Sequence, residues 1–205
     1  LTVSLGGSIA FYVVDHVAAT IGKLVDFLQR SDFAGVILTR TAHSGAFTLA
    51  QAQVAAPNAP DVLAACRWNA QPNEFKIAGE ITSDIGRSEG HGSHSTLGPP
   101  DLHNTLIASG PDFRRGWVDE TPSGNIDLAP TILCILGIKP PRPLDGRVLR
   151  EAFVDVREPP PVEEKTAETQ RDLGDRIWRQ HLRTATVDGA IYLIEGNGAS
   201  TPANP

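Results

Sequence analysis

The chain has 205 residues, enough for one domain of ordinary size or one domain with an appendage, and its 40% apolar content can fill a core. A formal charge of −6 without any basic cluster argues against a nucleic-acid surface, because neutralising phosphates needs concentrated Lys and Arg. No window approaches the roughly 20 apolar residues of a membrane helix, and the N-terminus lacks the basic, apolar, small-residue order of a signal peptide.

The sequence opens on Leu1 and contains no Met, and it reads as the C-terminal part of a longer polypeptide. The short apolar run Ile9 to Val14 predicts a strand, and Asp15 stands where a helix cap belongs, with His16 in the first turn. Apolar residues then fall at Ile21, Leu24, Val25 and Leu28, the spacing of an amphipathic helix. Gly35 to Thr39 predicts a second strand, so the opening is a strand-helix-strand unit of the kind that builds mixed or parallel sheets.

From residue 42 to 92 the pattern is looser and predicts short strands and long loops, with apolar stretches at Leu49 to Val54 and Val62 to Cys66. Cys66 and Cys134 both sit among apolar neighbours and are read as buried thiols. Thr105 to Ala108 reads as a buried strand ended by Gly110-Pro111. Ile126 to Leu136 carries a helical stripe, with Pro130 in its first turns and Gly137 as its stop. After a Pro-rich connection and a short helix, Glu158 to Thr169 has the composition of a linker. Arg183 to Val187 and Ala190 to Ile194 flank Asp188-Gly189, which predicts a hairpin.

Three of the six histidines, His91, His94 and His103, crowd the segment EGHGSHSTLGPPDLH. Glycines at 90, 92 and 98 and prolines at 99 and 100 keep His91 and His94 off successive turns of a helix and place them on a loop. Imidazole is the commonest protein donor to zinc, and loops carried by a rigid sheet are where such groups are found. The segment offers His91, His94, Asp101 and His103 but no standard zinc spacing, and by itself a mononuclear site is the alternative it leaves open.

The order of short motifs carries more information. Gly92-Ser93-His94 is followed by an apolar stretch, by Gly110-Pro111-Asp112-Phe113, by Asn125-Ile126-Asp127 through Ala129-Pro130-Thr131 to Gly137, and by Asp145-Gly146-Arg147. Jointly these resemble the C-terminal part of the alkaline-phosphatase-like superfamily, most closely its type I phosphodiesterase/nucleotide pyrophosphatase branch, over about a third of the chain from Gly90 to Phe153.

The resemblance implies an α/β fold, the C-terminal part of an alkaline-phosphatase-like mixed sheet flanked by helices, to which the turn at Asp188-Gly189 adds a C-terminal β-hairpin. Together with the linker composition and the predicted hairpin, this gives a partial domain at 1–157 without the nucleophile region, a linker at 158–170 and a helix/hairpin extension at 171–205. The resemblance implies a phosphoric ester hydrolase that uses two zinc ions, or other divalent metals, on a phosphate-ester small molecule. His94 takes the role of the last ligand of that site, with His91 as the alternative; Ser95 stands where the family has Gly. The metal-bound Thr or Ser nucleophile and the remaining ligands have no counterpart here, so the chain requires a missing N-terminal portion and is expected to be inactive by itself or to be a noncatalytic remnant of the same fold. Asp15-His16 lacks the following Gly of the family's Asp-His-Gly, and Cys66-Arg67-Trp68 fails the sulfatase pattern. A periplasmic or secreted complete protein would suit this chemistry, but nothing in the sequence reports export.

Overall fold

A computed structural model of the chain describes residues 1–83, 94–156 and 158–203. The architecture is mixed α/β, with few helices and several sheets. The strands are β1 (Thr2–Ser4), β2 (Ser8–Phe11), β3 (Ala34–Thr39), β4 (Phe47–Thr48), β5 (Val62–Cys66), β6 (Trp68–Asn69), β7 (Glu80–Ile81), β8 (Val162–Asp172), β9 (Arg176–Val187) and β10 (Ala190–Pro202). The α-helices are α1 (Ala18–Arg30), α2 (Pro99–Leu102) and α3 (Leu128–Ile135). Two compact bodies form: one from Leu1–Asn104, Thr166–Arg183 and Leu193–Pro205, the other from Thr105–Lys165 and Thr184–Tyr192.

The first body is built on a five-stranded sheet of order β1-β2-β5-β3-β4. The strand-helix-strand unit read from the sequence is present as β2, α1 and β3, but β5 lies between the two strands and runs antiparallel to both. β3 is buried at every position and apolar as far as Leu38, which suits a central strand covered on both faces. Ile37 belongs to the cluster with Ile21, Val25 and Leu28 of α1, whereas Val36 and Leu38 face Phe47, Leu49 and Leu182. Ala34 joins Ile37 rather than Val36 because the register shifts between Ala34 and Val36. At Gly35, inside that shift, a Cβ would overlap the backbone of Arg67.

Helix α1 buries the stripe Ile21, Val25 and Leu28, and each such side chain contributes about 1.5–3 kcal/mol on leaving water. Its cap departs from expectation: Val17 holds that position and Asp15 lies in a left-handed turn at φ 54°.

Strand β8 corrects the reading of a linker at 158–170, since from Val162 the segment is the outer strand of a sheet ordered β10-β9-β8. Its charges suit an edge, where they discourage further strand pairing. The hairpin at Asp188-Gly189 is present and longer than the sequence suggested, spanning β9 and β10. Both turn residues have positive φ, 49° and 83°, as a two-residue hairpin turn of this kind requires.

In the second body, α3 ends before Gly137, whose φ of 66° closes it, and Pro130 lies in its first turn, as the sequence predicts. The strand expected at Thr105 to Ala108 is absent: the segment pairs with no strand among the described residues, and Ile107 is 86% exposed. Apolar character there has no neighbouring edge to complete. No helix among the described residues is long and apolar enough to cross a membrane.

Candidate functional site

The motif residues of the second body converge on one another. Asp127, fully buried, reaches back to the Gly124 N–H at 2.8 Å and accepts the Arg147 N–H at 2.8 Å. The Tyr192 hydroxyl donates to the same carboxylate, 2.9 Å from Oδ2. Thr131 Oγ1 accepts the Leu149 N–H at 3.0 Å, so Asp-x-A-P-T and D-G-R-x-L are joined at two points. Gly146 is required there because a Cβ would overlap the Ile126 carbonyl. Phe113 of G-P-D-F bridges to Phe153, with ring centroids 5.9 Å apart in an edge-on contact.

Arg147 completes the network. Its guanidinium grips Glu151 through two bonds of 2.9 and 2.6 Å, donates to the Pro122 carbonyl at 3.1 Å, and meets the Tyr192 hydroxyl at 3.1 Å. Burial works against its charge, but Glu151 and Tyr192 outweigh it and raise its pKa. Burial, together with the Asp127 carboxylate, pushes the Tyr192 phenol up to about 12. Every group here is satisfied by a neighbour, so these motifs build the interior of the body.

His94 lies in the first body, exposed, on the segment leading into α2. Its carbonyl accepts the Gly7 N–H at 2.5 Å, which ties the loop to the start of β2. Its Nδ1 is 2.6 Å from the Ser95 hydroxyl, and Ser95 has a φ of 72°. Among the described residues the ring's other nitrogen has no hydrogen-bond partner. Asp101 is engaged elsewhere, its Oδ2 accepting both the N–H and the hydroxyl of Thr96 at 2.8 and 2.5 Å. His103 Nε2 sits 3.0 Å from the Ile194 carbonyl, a structural tie to β10. His91 lies outside the described residues. Among the described residues no three His, Cys, Asp or Glu gather into a metal cluster.

A second arrangement escaped the sequence. Asp61 is 1% exposed; its Oδ2 accepts the Val13 N–H at 2.7 Å, and its Oδ1 lies 2.6 Å from His16 Nδ1 and 3.6 Å from Arg40 Nε. Burial pushes the Asp61 carboxyl up, but the Val13 N–H, the His16 ring and the Arg40 charge bring it below its ordinary value. Asp15 and His16 both have positive φ, 54° and 50°, an uncommon conformation for side-chain-bearing residues. Asp61 thus shapes the turn that Asp15 was expected to cap. Forty-five residues separate His16 from Asp61, and no local pattern marks the pair.

Cys66 is buried and its thiol is pushed up by that burial; Cys134 is half-buried. Comparison with models of known families, with curated proteins and with solved structures gives no match to the chain.

Proposed function

We propose that the chain is the C-terminal segment of an alkaline-phosphatase-like, metal-dependent phosphoric ester hydrolase of the phosphodiesterase/nucleotide pyrophosphatase type. The observation that carries this reading is the mutual engagement of the motif residues: Asp127 with the Arg147 N–H, Thr131 with the Leu149 N–H, and Phe113 with Phe153. Short motifs matched by chance along a chain have no reason to meet as hydrogen-bonded partners, whereas the signature of an inherited fold does.

His94 is the residue this chain supplies to the metal centre. The Ser95 hydroxyl beside Nδ1 orients the ring, the kind of support that metal-bound histidines commonly have, and Nε2 is the nitrogen left to coordinate. The two zinc ions of the complete protein would activate a hydroxyl nucleophile and stabilise the departing alkoxide of a phosphate ester. One histidine fits one ligand position, so activity belongs to the longer polypeptide.

The experiment is metal analysis and phosphodiester hydrolysis on the full-length polypeptide. His94→Ala should lower bound zinc and reduce the rate by at least about a hundredfold, more than loss of a supporting residue alone. His16→Ala and His91→Ala should retain both. Unchanged zinc content and rate in His94→Ala would overturn the assignment.

A further inference from the structure

A cavity of about 790 Å³ opens on the first body, and its lining includes Arg67, Glu168, Arg179, His181, Asn197 and Gly198. That volume is within the range of small-molecule sites, roughly 300–1,000 Å³. Much of the lining is held rigidly. Asn197 clasps the backbone of Trp68, donating to its carbonyl at 2.8 Å and accepting its N–H at 3.4 Å, while the Trp68 indole donates to the Gly196 carbonyl at 2.8 Å. At Gly198 a Cβ would overlap the carbonyls of Gly35 and Arg179.

Most arginines of this body are ion-paired: Arg30, Arg40, Arg171 and Arg183 reach the carboxylates of Asp175, Asp61, Asp26 and Glu195, while Arg176, outside the cavity lining, donates to the hydroxyl and carbonyl of Ser200. Among the described residues Arg179 contacts only neutral oxygens, Gln170 Oε1 on one neighbouring strand at 3.3 Å and Thr201 Oγ1 on the other at 3.5 Å. These brace the group without neutralising it. Arg67 has its backbone fixed on both sides, by the Phe33 carbonyl at 2.7 Å and the Thr82 N–H at 2.8 Å. Its side chain is half-buried and, among the described residues, not ion-paired. Among the described residues that line the cavity, one exposed carboxylate, Glu168, stands against these two cations, in a chain whose net charge is −6.

We propose that this cavity is a binding site for a small oxyanion, held by the guanidinium groups of Arg67 and Arg179. A guanidinium offers five N–H donors in a planar fork that matches carboxylate and phosphate oxygens, and braced neutral partners reduce the ordering needed on binding. The site shares no residue with His94 and does not depend on a metal.

The test uses the 205-residue chain after treatment with a chelator, titrated with pyrophosphate and with citrate at low ionic strength and followed by NMR of backbone amides and Arg Nε–H groups. Saturable binding is expected with a Kd of about 1 mM or tighter, and with shifts concentrated at Arg67, Arg179 and Gly198. The tighter of the two ligands identifies the oxyanion as phosphate-like or carboxylate-like. Arg67→Gln and Arg179→Gln, which preserve bulk, should each weaken binding about tenfold with the amide spectrum otherwise retained. Lys139→Ala, a cation of the other body, should leave the Kd unchanged, and so should His94→Ala. Absence of saturation, or equal losses in Lys139→Ala and the two Arg variants, overturns the proposal.

Discussion

Removing the Glu151 carboxylate should unfold the second body more effectively than removing the whole ion pair. Arg147 and Glu151 are 5% and 1% exposed, so Glu151→Ala strands a buried cation that retains only the Pro122 carbonyl and the Tyr192 hydroxyl. Stranding one partner of a buried pair costs about 3–5 kcal/mol, against a total domain stability of about 5–15 kcal/mol. Arg147→Met/Glu151→Leu removes both charges and fills the volume, and it should recover at least about 2 kcal/mol of that loss. The surface pair Arg30–Asp175, 45% and 68% exposed, supplies the control: Asp175→Ala should cost no more than about 1 kcal/mol. Urea unfolding, read by hydrogen exchange of peptides within 105–165, isolates the second body from the first. A loss below about 1 kcal/mol for Glu151→Ala, or a double variant weaker than the single one, would refute the account of a desolvated pair.

Gly146→Ala pushes a methyl group into the Ile126 carbonyl, a backbone atom that cannot rotate away, and should cost about 1–3 kcal/mol or more by thermal unfolding. For Tyr192 the folded pKa, about 12, lies above the ordinary 10.0, so its contribution is complete below 10.0 and is lost as pH rises through about 12. Spectrophotometric titration should show one late-titrating tyrosine, and Tyr192→Phe should abolish it. Asp61 runs the other way: its folded pKa is below 3.8, so its contribution is present above 3.8 and is lost as pH falls through the lowered value. Asp61→Asn should flatten the acid limb of the stability profile, and an unchanged limb would contradict the His16–Asp61 contact.

Legibility in the sequence followed the range of the interaction. β3 and α1 announced themselves through continuous and 3.6-residue patterns, and Asp188-Gly189 marked its turn, because each signal lies within a few residues. β8 hid behind a polar composition: as an edge strand it half-buries only Ala167, Thr169 and Arg171, and its remaining charges face water. Thr105 to Ala108 failed for the opposite reason, since apolar residues make a strand only where an edge receives them. At the candidate sites, His94 was identified through resemblance and motif order, whereas Asp61 could not be found, because its partners Val13, His16 and Arg40 become neighbours only once β2, β3 and β5 are assembled.

The C-terminal hairpin also sets the order in which this chain can mature. Trp178 and Leu182 of β9 complete the cores around α1 and β3, while Tyr192 at the start of β10 supplies the hydroxyl that Asp127 accepts. Neither body has all of its interior until that hairpin has left the ribosome. A nascent chain stalled before residue 176 would lack Trp178 over α1's apolar stripe and the Tyr192 hydroxyl on the Asp127 carboxylate together, so both bodies must finish folding after their own early segments have been waiting for the hairpin.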